Sequence, residues 1–206
     1  MNKTTVMIKT IGRDTLQGAI DSALREGFTP MVISDGIPLP ELGVETITLG
    51  KRWGYYGGMA TNVAAALCPT EFMTLLDDDD EFREGAGEVI RAALDREPDT
   101  DVWIGGVHFK EPITLYNREG KEVFQSHDLA CSPEAGVVVG NVAMPTYRTS
   151  IFSTLPFLDH VPEGMQNCTD YFHIKACDGM GHKIGWFGEV IYNVRPKVKG
   201  TNGEGL

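Results

Sequence analysis

The 206 residues are 42% hydrophobic and 23% charged, which are the proportions of a globular domain and exclude a chain that is disordered or fibrous throughout. The formal net charge of −11 argues against a surface that coats nucleic acid, because contacts to phosphates need clustered lysine and arginine. No apolar stretch approaches the roughly 20 residues of a transmembrane helix, and the first residues lack the pattern of a secretory signal. We therefore expect a cytoplasmic location.

In the first half of the chain, short β-branched segments alternate with amphipathic ones. The patterns predict strands at 5–9, 31–34, 46–49 and 71–76, and helices at 13–26, 58–67 and 81–96. Strands joined by helical crossovers predict a parallel sheet with helices on its faces, in which ligands bind beyond the carboxyl ends of the strands. Three loops rich in polar residues or glycine follow such ends, at 10–12, 34–36 and 77–80.

The second half has a different character. Its β-rich segments predict strands or strand-and-turn pieces at 102–109, 113–117, 122–127 and 136–144. A helix is predicted from about Thr169 to Gly179, followed by a strand from Lys183 to Val190. The tail from Arg195 onwards has no periodic apolar pattern.

Four consecutive aspartates, Asp77 to Asp80, follow a predicted buried strand. Like charges this close together raise the cost of ionisation unless a cation neutralises them. Mg²⁺ or Mn²⁺ is a suitable cation, since it binds one or two carboxylates together with the phosphate oxygens of a substrate. Alternatively, Asp79 or Asp80 caps the helix predicted from Glu81 onwards, although a cap accounts for one aspartate and not for four.

Several segments occur in the order of one known family. They are Val6–Thr10 with Arg13, Val32–Gly36, Met59–Asn62, Leu75–Asp80, Gly140–Asn141 with Met144, Arg148 and Ile151–Phe152, and Cys168–Phe172 followed by Gly181–Ile184. In this order they resemble the inverting family-two glycosyltransferases of the GT-A fold, and the similarity spans about Thr5 to Asn193. The chain lacks the Gln-x-x-Arg-Trp motif of the processive members, so a single transfer is favoured.

The resemblance implies a single GT-A domain over residues 1–206. It is expected to be an α/β domain with a Rossmann-like, mostly parallel sheet flanked by helices and a small antiparallel sheet on the acceptor side. Residues 1–110 would bind the nucleotide-sugar, residues 111–195 would bind the acceptor, and residues 196–206 would form a flexible tail.

The implied reaction moves one sugar, expected to be a hexose, from a UDP-sugar to an acceptor hydroxyl, with Mn²⁺ or Mg²⁺ bound and with water as a slow alternative acceptor. The acceptor, whether glycan, lipid or protein, is left open by the sequence, and so is an oligomeric state. The alternative from another class is a catalytically silent module that binds a nucleotide-sugar or a carbohydrate.

The family positions also imply roles for individual residues. Asp170 matches the general base that deprotonates the acceptor hydroxyl, although it could instead simply begin a helix. Asp79 would be the main ligand of the metal, with Asp77 holding the ribose or a metal-bound water. Asn193 stands where many relatives have a histidine ligand to the metal.

A site for the donor nucleotide is implied at the ends of the first strands. Its matching residues are Thr10, Ile11, Arg13, Asp35, Lys51, Arg52, Asp77 and Asp78. Asp35 would bond to the base, with an ordinary Asp-Gly turn as the alternative.

The donor sugar and the acceptor would contact a further group of residues, namely Trp53, Tyr55, Gly57, Asn62, Gly140, Asn141 and His173. Aromatic faces pack against sugar rings and glycine permits close approach. A buried aromatic turn is the alternative for residues 53–58, and an ordinary helix position is the alternative for His173.

Overall fold

The computed structural model describes residues 4–116, 122–129, 145–157, 162 and 169–194. The strands in this part of the chain are β1 (Thr4–Thr10), β2 (Thr29–Ser34), β3 (Glu45–Thr48), β4 (Phe72–Asp77), β5 (Asp80–Phe82), β6 (Val102–Tyr116), β7 (Glu122–Leu129), β8 (Thr146–Arg148) and β9 (Ile184–Val194). The α-helices are α1 (Leu16–Arg25), α2 (Gly58–Leu67), α3 (Ala86–Arg96) and α4 (Thr169–Gly179). The strand predicted at 136–144 and the tail predicted at 196–206 lie outside the described residues. None of the described helices is long and apolar enough to cross a membrane.

All the described strands belong to one sheet in the order β3-β2-β1-β4-β8-β6-β9-β5, and β7 pairs with β6. Strands β1 to β4 pair in parallel, which confirms the expected α/β class for the first half. Strand β8 pairs antiparallel with both β4 and β6, while β9 runs parallel to β6. The antiparallel strands predicted for the acceptor side therefore continue the sheet of the first half.

The central strands are apolar along their length because helices cover both faces of the sheet. Val6, Met7 and Ile8 are all 0% exposed in β1. Helix α1 connects β1 to β2, and α2 lies in the connection from β3 back to β4. The two connections run in opposite directions along the sheet. Because such connections are right-handed, α1 and α2 lie on opposite faces. Helix α3 lies beside α1, where the N–H of Gly87 donates to Glu26 Oε2 over 3.1 Å.

On the face of the sheet that α2 covers, the segment that follows β8 contacts both α2 and α4. The ring of Phe157 stacks on that of His173 in α4, with 4.3 Å between the ring centroids. The backbone of the same phenylalanine is hydrogen-bonded to Asn62 in α2. The carboxyl end of β4 and the start of α4 can therefore share one face of the sheet.

The prediction of a helix from Glu81 is wrong at its beginning. Residues Asp80–Phe82 form β5, which pairs antiparallel with β9, and α3 begins only at Ala86 after Gly85. Phe82 is 1% exposed, and its ring lies 5.1 Å from those of both Phe28 and Tyr192. Pairing with a distant strand and burial of this ring outweigh the local helical pattern. The aspartates therefore do not cap a helix.

Ser22 in α1 holds β5 in place, which generates a first testable prediction. Its buried hydroxyl donates to the carbonyl of Ala19 over 2.8 Å and accepts the N–H of Phe82 over 3.1 Å. We expect Ser22→Ala to lower the free energy of unfolding in urea by about 1–2 kcal/mol, because the buried N–H loses its acceptor. The matched control is Ser153→Ala, which removes an exposed hydroxyl that donates to the carbonyl of Ser150. Equal effects of the two substitutions would contradict this role of Ser22.

Candidate functional site

Three of the four consecutive aspartates converge at the carboxyl end of β4. One carboxylate oxygen from each of Asp77, Asp79 and Asp80 lies within 4.8 Å of the others. Asp79 and Asp80 are only 8% and 6% exposed. Carboxylate oxygens gathered in this way are the ligands that Mg²⁺ and Mn²⁺ prefer. The chemistry of this donor set therefore fits a hard divalent cation.

Asp78 has a different environment from its neighbours. It is 1% exposed, and it accepts hydrogen bonds from the Thr10 hydroxyl over 2.5 Å and from the N–H of Ile11 over 3.4 Å. The guanidinium group of Arg13 forms an ion pair with it. Asp78 thus ties the end of β4 to the turn after β1. Thr10, Ile11 and Arg13 lie beside the aspartates, as the sequence predicts, and all three are engaged by this carboxylate.

The chain supplies two cations of its own to this carboxylate cluster. Arg13 Nη1 also lies 3.6 Å from Asp79 Oδ1, and Lys9 Nζ lies 3.0 Å from Asp77 Oδ1. Four carboxylates and two cations leave these six side chains with an excess of negative charge at neutral pH. A divalent cation would neutralise that excess.

The sequence analysis missed Lys9, which stands directly opposite Asp77 in the pairing of β1 with β4. Its side chain is 20% exposed, whereas the three residues before it in the strand are fully buried. A lysine that ends a buried apolar run is rarely there without a charged partner. That break in the pattern of the strand is the signal that could have identified it.

Asp35 anchors the loop that follows β3. Its carboxylate is 4% exposed and accepts the N–H of Trp53 at Oδ1 and the N–H of Gly54 at Oδ2, both over 2.8 Å. Its own N–H donates to the carbonyl of Thr10 over 2.9 Å. The carboxylate therefore holds the loop against the ends of β1 and β2. The predicted contact with a nucleobase stays a prediction.

The loop at residues 50–57 presents aromatic groups to solvent. Trp53 and Tyr56 are 42% and 51% exposed, so this segment is not a buried aromatic turn. Lys51 Nζ lies 4.0 Å from the centroid of the Trp53 ring, a cation–π contact, and Arg52 is exposed. The backbone of Tyr55 begins a 3-10 turn, and nothing is described of its side chain.

The same loop has a strained backbone. Gly54 and Gly57 have φ of 69° and 80°, and Tyr56 has φ of 51°, which makes it the one non-glycine residue of the described part with positive φ. A side chain in this left-handed region costs energy, and such residues cluster at functional sites. The strain and the exposed rings together mark this loop as a candidate ligand contact.

Asp170 lies in the first turn of α4. Its Oδ1 atom is buried and has no hydrogen-bond partner among the described residues. Burial raises its pKa from 3.8 to about 6, an effect that the charge of Lys9 opposes and that of Asp77 reinforces. This carboxylate is therefore within electrostatic range of Lys9 and Asp77. A carboxylate with a raised pKa is suited to accept a proton near neutral pH.

Two residues predicted to contact the sugar or the acceptor are hydrogen-bonded within the protein. Asn62 Oδ1 accepts the N–H of Phe157 over 2.8 Å, and its Nδ2 donates to the carbonyl of the same residue over 3.3 Å. His173 is 0% exposed, and its Nε2 bonds to the carbonyl of Leu155 over 2.9 Å. His173 is thus buried and the amide of Asn62 is engaged by Phe157, and the ligand contacts of both residues stay predictions.

Register also bears on the predicted metal ligand Asn193. In the pairing of β5 with β9, it stands opposite Glu81, whereas Asp80 stands opposite Val194. Neighbouring positions on a strand face opposite sides of the sheet. Asn193 and Asp80 are therefore on different faces, and an ion shared by Asn193 with Asp77 and Asp79 stays a prediction. The predicted contact residues Gly140 and Asn141 lie outside the described residues.

Comparison with known proteins identifies the fold. No protein-family model and no curated protein sequence matches the chain. Among solved structures, TarS 1-349 from S. aureus is similar with a TM-score of 0.66 and 17% identity, over 94% of this chain and 60% of the TarS chain. Its complex with UDP-GlcNAc gives a TM-score of 0.61 and 16% identity, with coverage of 95% and 59%.

A second protein, GalNAc-T7 with UDP, GalNAc and Mn²⁺, gives a TM-score of 0.66 and 12% identity, over 96% of this chain and 44% of that one. The chain thus spans about 60% of the TarS 1-349 chain and less than half of the GalNAc-T7 chain. At these identities the likeness concerns the fold alone. The chain has the α/β architecture of the GT-A fold.

Proposed function

We propose that this chain is a glycosyltransferase that moves a hexose-type sugar from a UDP-sugar to an acceptor hydroxyl with inversion, with Mn²⁺ or Mg²⁺ bound at the donor diphosphate. The observation that carries the proposal is the group formed by Asp77, Asp79 and Asp80 at the carboxyl end of β4, with the buried carboxylate of Asp170 close by. Structures of the same fold that hold UDP, UDP-GlcNAc, or UDP with GalNAc and Mn²⁺ support this donor class.

On the donor side, Asp77, Asp79 and Asp80 would hold the divalent cation. The cation, when bound, supplies Lewis-acid neutralisation of the diphosphate that departs. Arg13 and Asp78 keep the end of β4 fixed against the turn after β1. This fixed backbone limits the reorganisation that binding of the donor would require. Trp53, exposed beside Lys51, would provide a flat apolar face to the donor.

On the acceptor side, Asp170 would accept the proton of the acceptor hydroxyl as that oxygen attacks the anomeric carbon. The bond from this carbon to the diphosphate oxygen breaks on the opposite face, and the bonding electrons leave with the diphosphate. A single displacement of this kind inverts the anomeric centre. The unbonded, buried Oδ1 of Asp170 leaves that carboxylate with acceptor capacity for the proton.

The Asp79→Asn substitution tests the donor half of the proposal. We expect it to reduce the release of UDP from a panel of UDP-sugars with Mn²⁺ by at least about 100-fold, because the amide is neutral and a weak ligand. Calorimetry should show weaker Mn²⁺ binding in the same variant. The matched control is Asp178→Asn, which removes an exposed carboxylate from α4. Turnover that survives in Asp79→Asn would refute a metal-dependent transfer at this site, and binding of UDP-sugar without any turnover would favour a silent binding module.

The pH dependence tests Asp170 as the base. Burial raises its pKa to about 6, and the proton acceptor must be ionised. We therefore expect kcat to fall roughly tenfold per pH unit on the acid side, with a midpoint at or below about 6 because a bound cation lowers the pKa further. Asp170→Asn should lose transfer at every pH. An acid limb that persists unchanged in residual activity of Asp170→Asn would contradict the assignment.

The free energy of unfolding of Asp170→Asn shows whether this variant loses activity because the base is missing or because the protein unfolds. The folded pKa of about 6 exceeds the ordinary value of 3.8, so ionisation of Asp170 opposes folding. The protonated carboxyl group makes its full contribution to the free energy of unfolding below the ordinary pKa. That contribution is lost as the pH rises through about 6. We expect Asp170→Asn to be more stable than the wild type by on the order of 2 kcal/mol at pH 8, with no such difference at about pH 4.

A further inference from the structure

Lys9 stands between the two halves of the proposed site. It lies in register with Asp77 across β1 and β4, and its Nζ is 3.0 Å from Asp77 Oδ1. The charge of Lys9 also acts on Asp170 at the start of α4.

The side chain of Lys9 lies where a positive charge is electrostatically unfavourable, beside the N-terminus of α2. The alkyl chain of Lys9 passes over Gly57, where an added Cβ would lie 2.5 Å from Lys9 Cδ. Gly57 also precedes the first residue of α2, and the N-terminus of a helix disfavours a positive charge. Gly57, with φ of +80°, therefore leaves room for the alkyl chain of Lys9 beside the start of α2.

The surrounding carboxylates maintain the charge on Lys9. Burial by itself would lower its pKa, but Asp77, and after it Asp170, raise the pKa above its ordinary value. Lys9 stays protonated across the working pH range, so it cannot act as a general base. Its effect on the reaction must be electrostatic.

This arrangement puts two cations on one carboxylate once the metal is bound. Asp77 belongs to the group of three aspartates that fits a divalent ion, and the same carboxylate already faces Lys9. Positive charges a few ångströms apart repel each other, so Lys9 weakens the binding of the ion. A bound ion would likewise weaken the hold of Asp77 on Lys9.

We propose that Lys9 is a positioning residue that competes with the divalent cation for the carboxylate of Asp77, and that its positive charge supports Asp170 as the base. This inference rests on the proposed function for its catalytic half, and its metal-binding half is independent of that function. In this proposal the charge of Lys9 links two properties of the site, the affinity for the metal and the function of Asp170 as the base.

The test compares Lys9→Met with Lys9→Arg in the full chain. We expect Lys9→Met to bind Mn²⁺ about three- to tenfold more tightly in calorimetry with the metal alone, because a competing charge is gone. We expect its kcat for sugar transfer to fall at least about tenfold, with a smaller change in KM for the donor. Lys9→Arg keeps the charge and should restore both quantities towards the wild-type values.

The opposite signs of the two effects distinguish this role from a structural one, since a damaged site would bind Mn²⁺ more weakly and also turn over more slowly. Lys175→Met, which removes an exposed lysine from α4, should change neither quantity. If Lys9→Met fails to fold, Lys9→Gln replaces it with the same expectations. Unchanged or weaker Mn²⁺ binding in the neutral variants overturns the proposal. A wild type that turns over no donor refutes the proposed function, while tighter Mn²⁺ binding in Lys9→Met still supports competition for Asp77.

Discussion

The structure depends on how charge is balanced where the parallel strands end. Four consecutive carboxylates at the end of a buried strand repel one another, and three of them, Asp78 to Asp80, are buried, so positive charge has to be close. Lys9 at the end of β1 and Arg13 in the turn after it provide part of that charge. Because Lys9 lies in β1 and Arg13 in the turn that follows it, the pairing of β1 with β4 and the stability of the acidic cluster support each other.

Polar side chains around this edge of the sheet divide into two kinds. Asp78, Asp35 and Asn62 use their oxygens to hold backbone N–H groups or neighbouring side chains, and so fix loops in place. Asp77, Asp79, Asp80 and Asp170 instead direct carboxylate oxygens towards one another or leave one unbonded. Residues of the first kind keep the second kind oriented, which lowers the reorganisation that binding and chemistry would otherwise require.

The proposed metal ligand Asp77 and the proposed base Asp170 both interact with Lys9 of β1. Asp77 lies on one side of Lys9, and α4 brings Asp170 within range of the same charge. Helix α4 is held there by the aromatic packing of His173 on Phe157, and Phe157 in turn is bonded to Asn62 of α2. Residues that make no contact with substrate in the proposed mechanism thus set the position of the base.

Local sequence determined a large part of this protein. The predicted bounds of α2 and α4 agree with the structure, the strands of the parallel half differ by one or two residues at most ends, and the aspartate cluster lies at the end of β4 as expected. Periodicity and composition suffice for these features because each depends on residues close together in the chain. Only the tertiary structure decided that residues 80–82 form a strand, that Lys9 faces Asp77, that Asp78 is separated from its neighbours, and that His173 is buried. Each of these depends on pairing or packing with residues far away in the sequence, which no local pattern records.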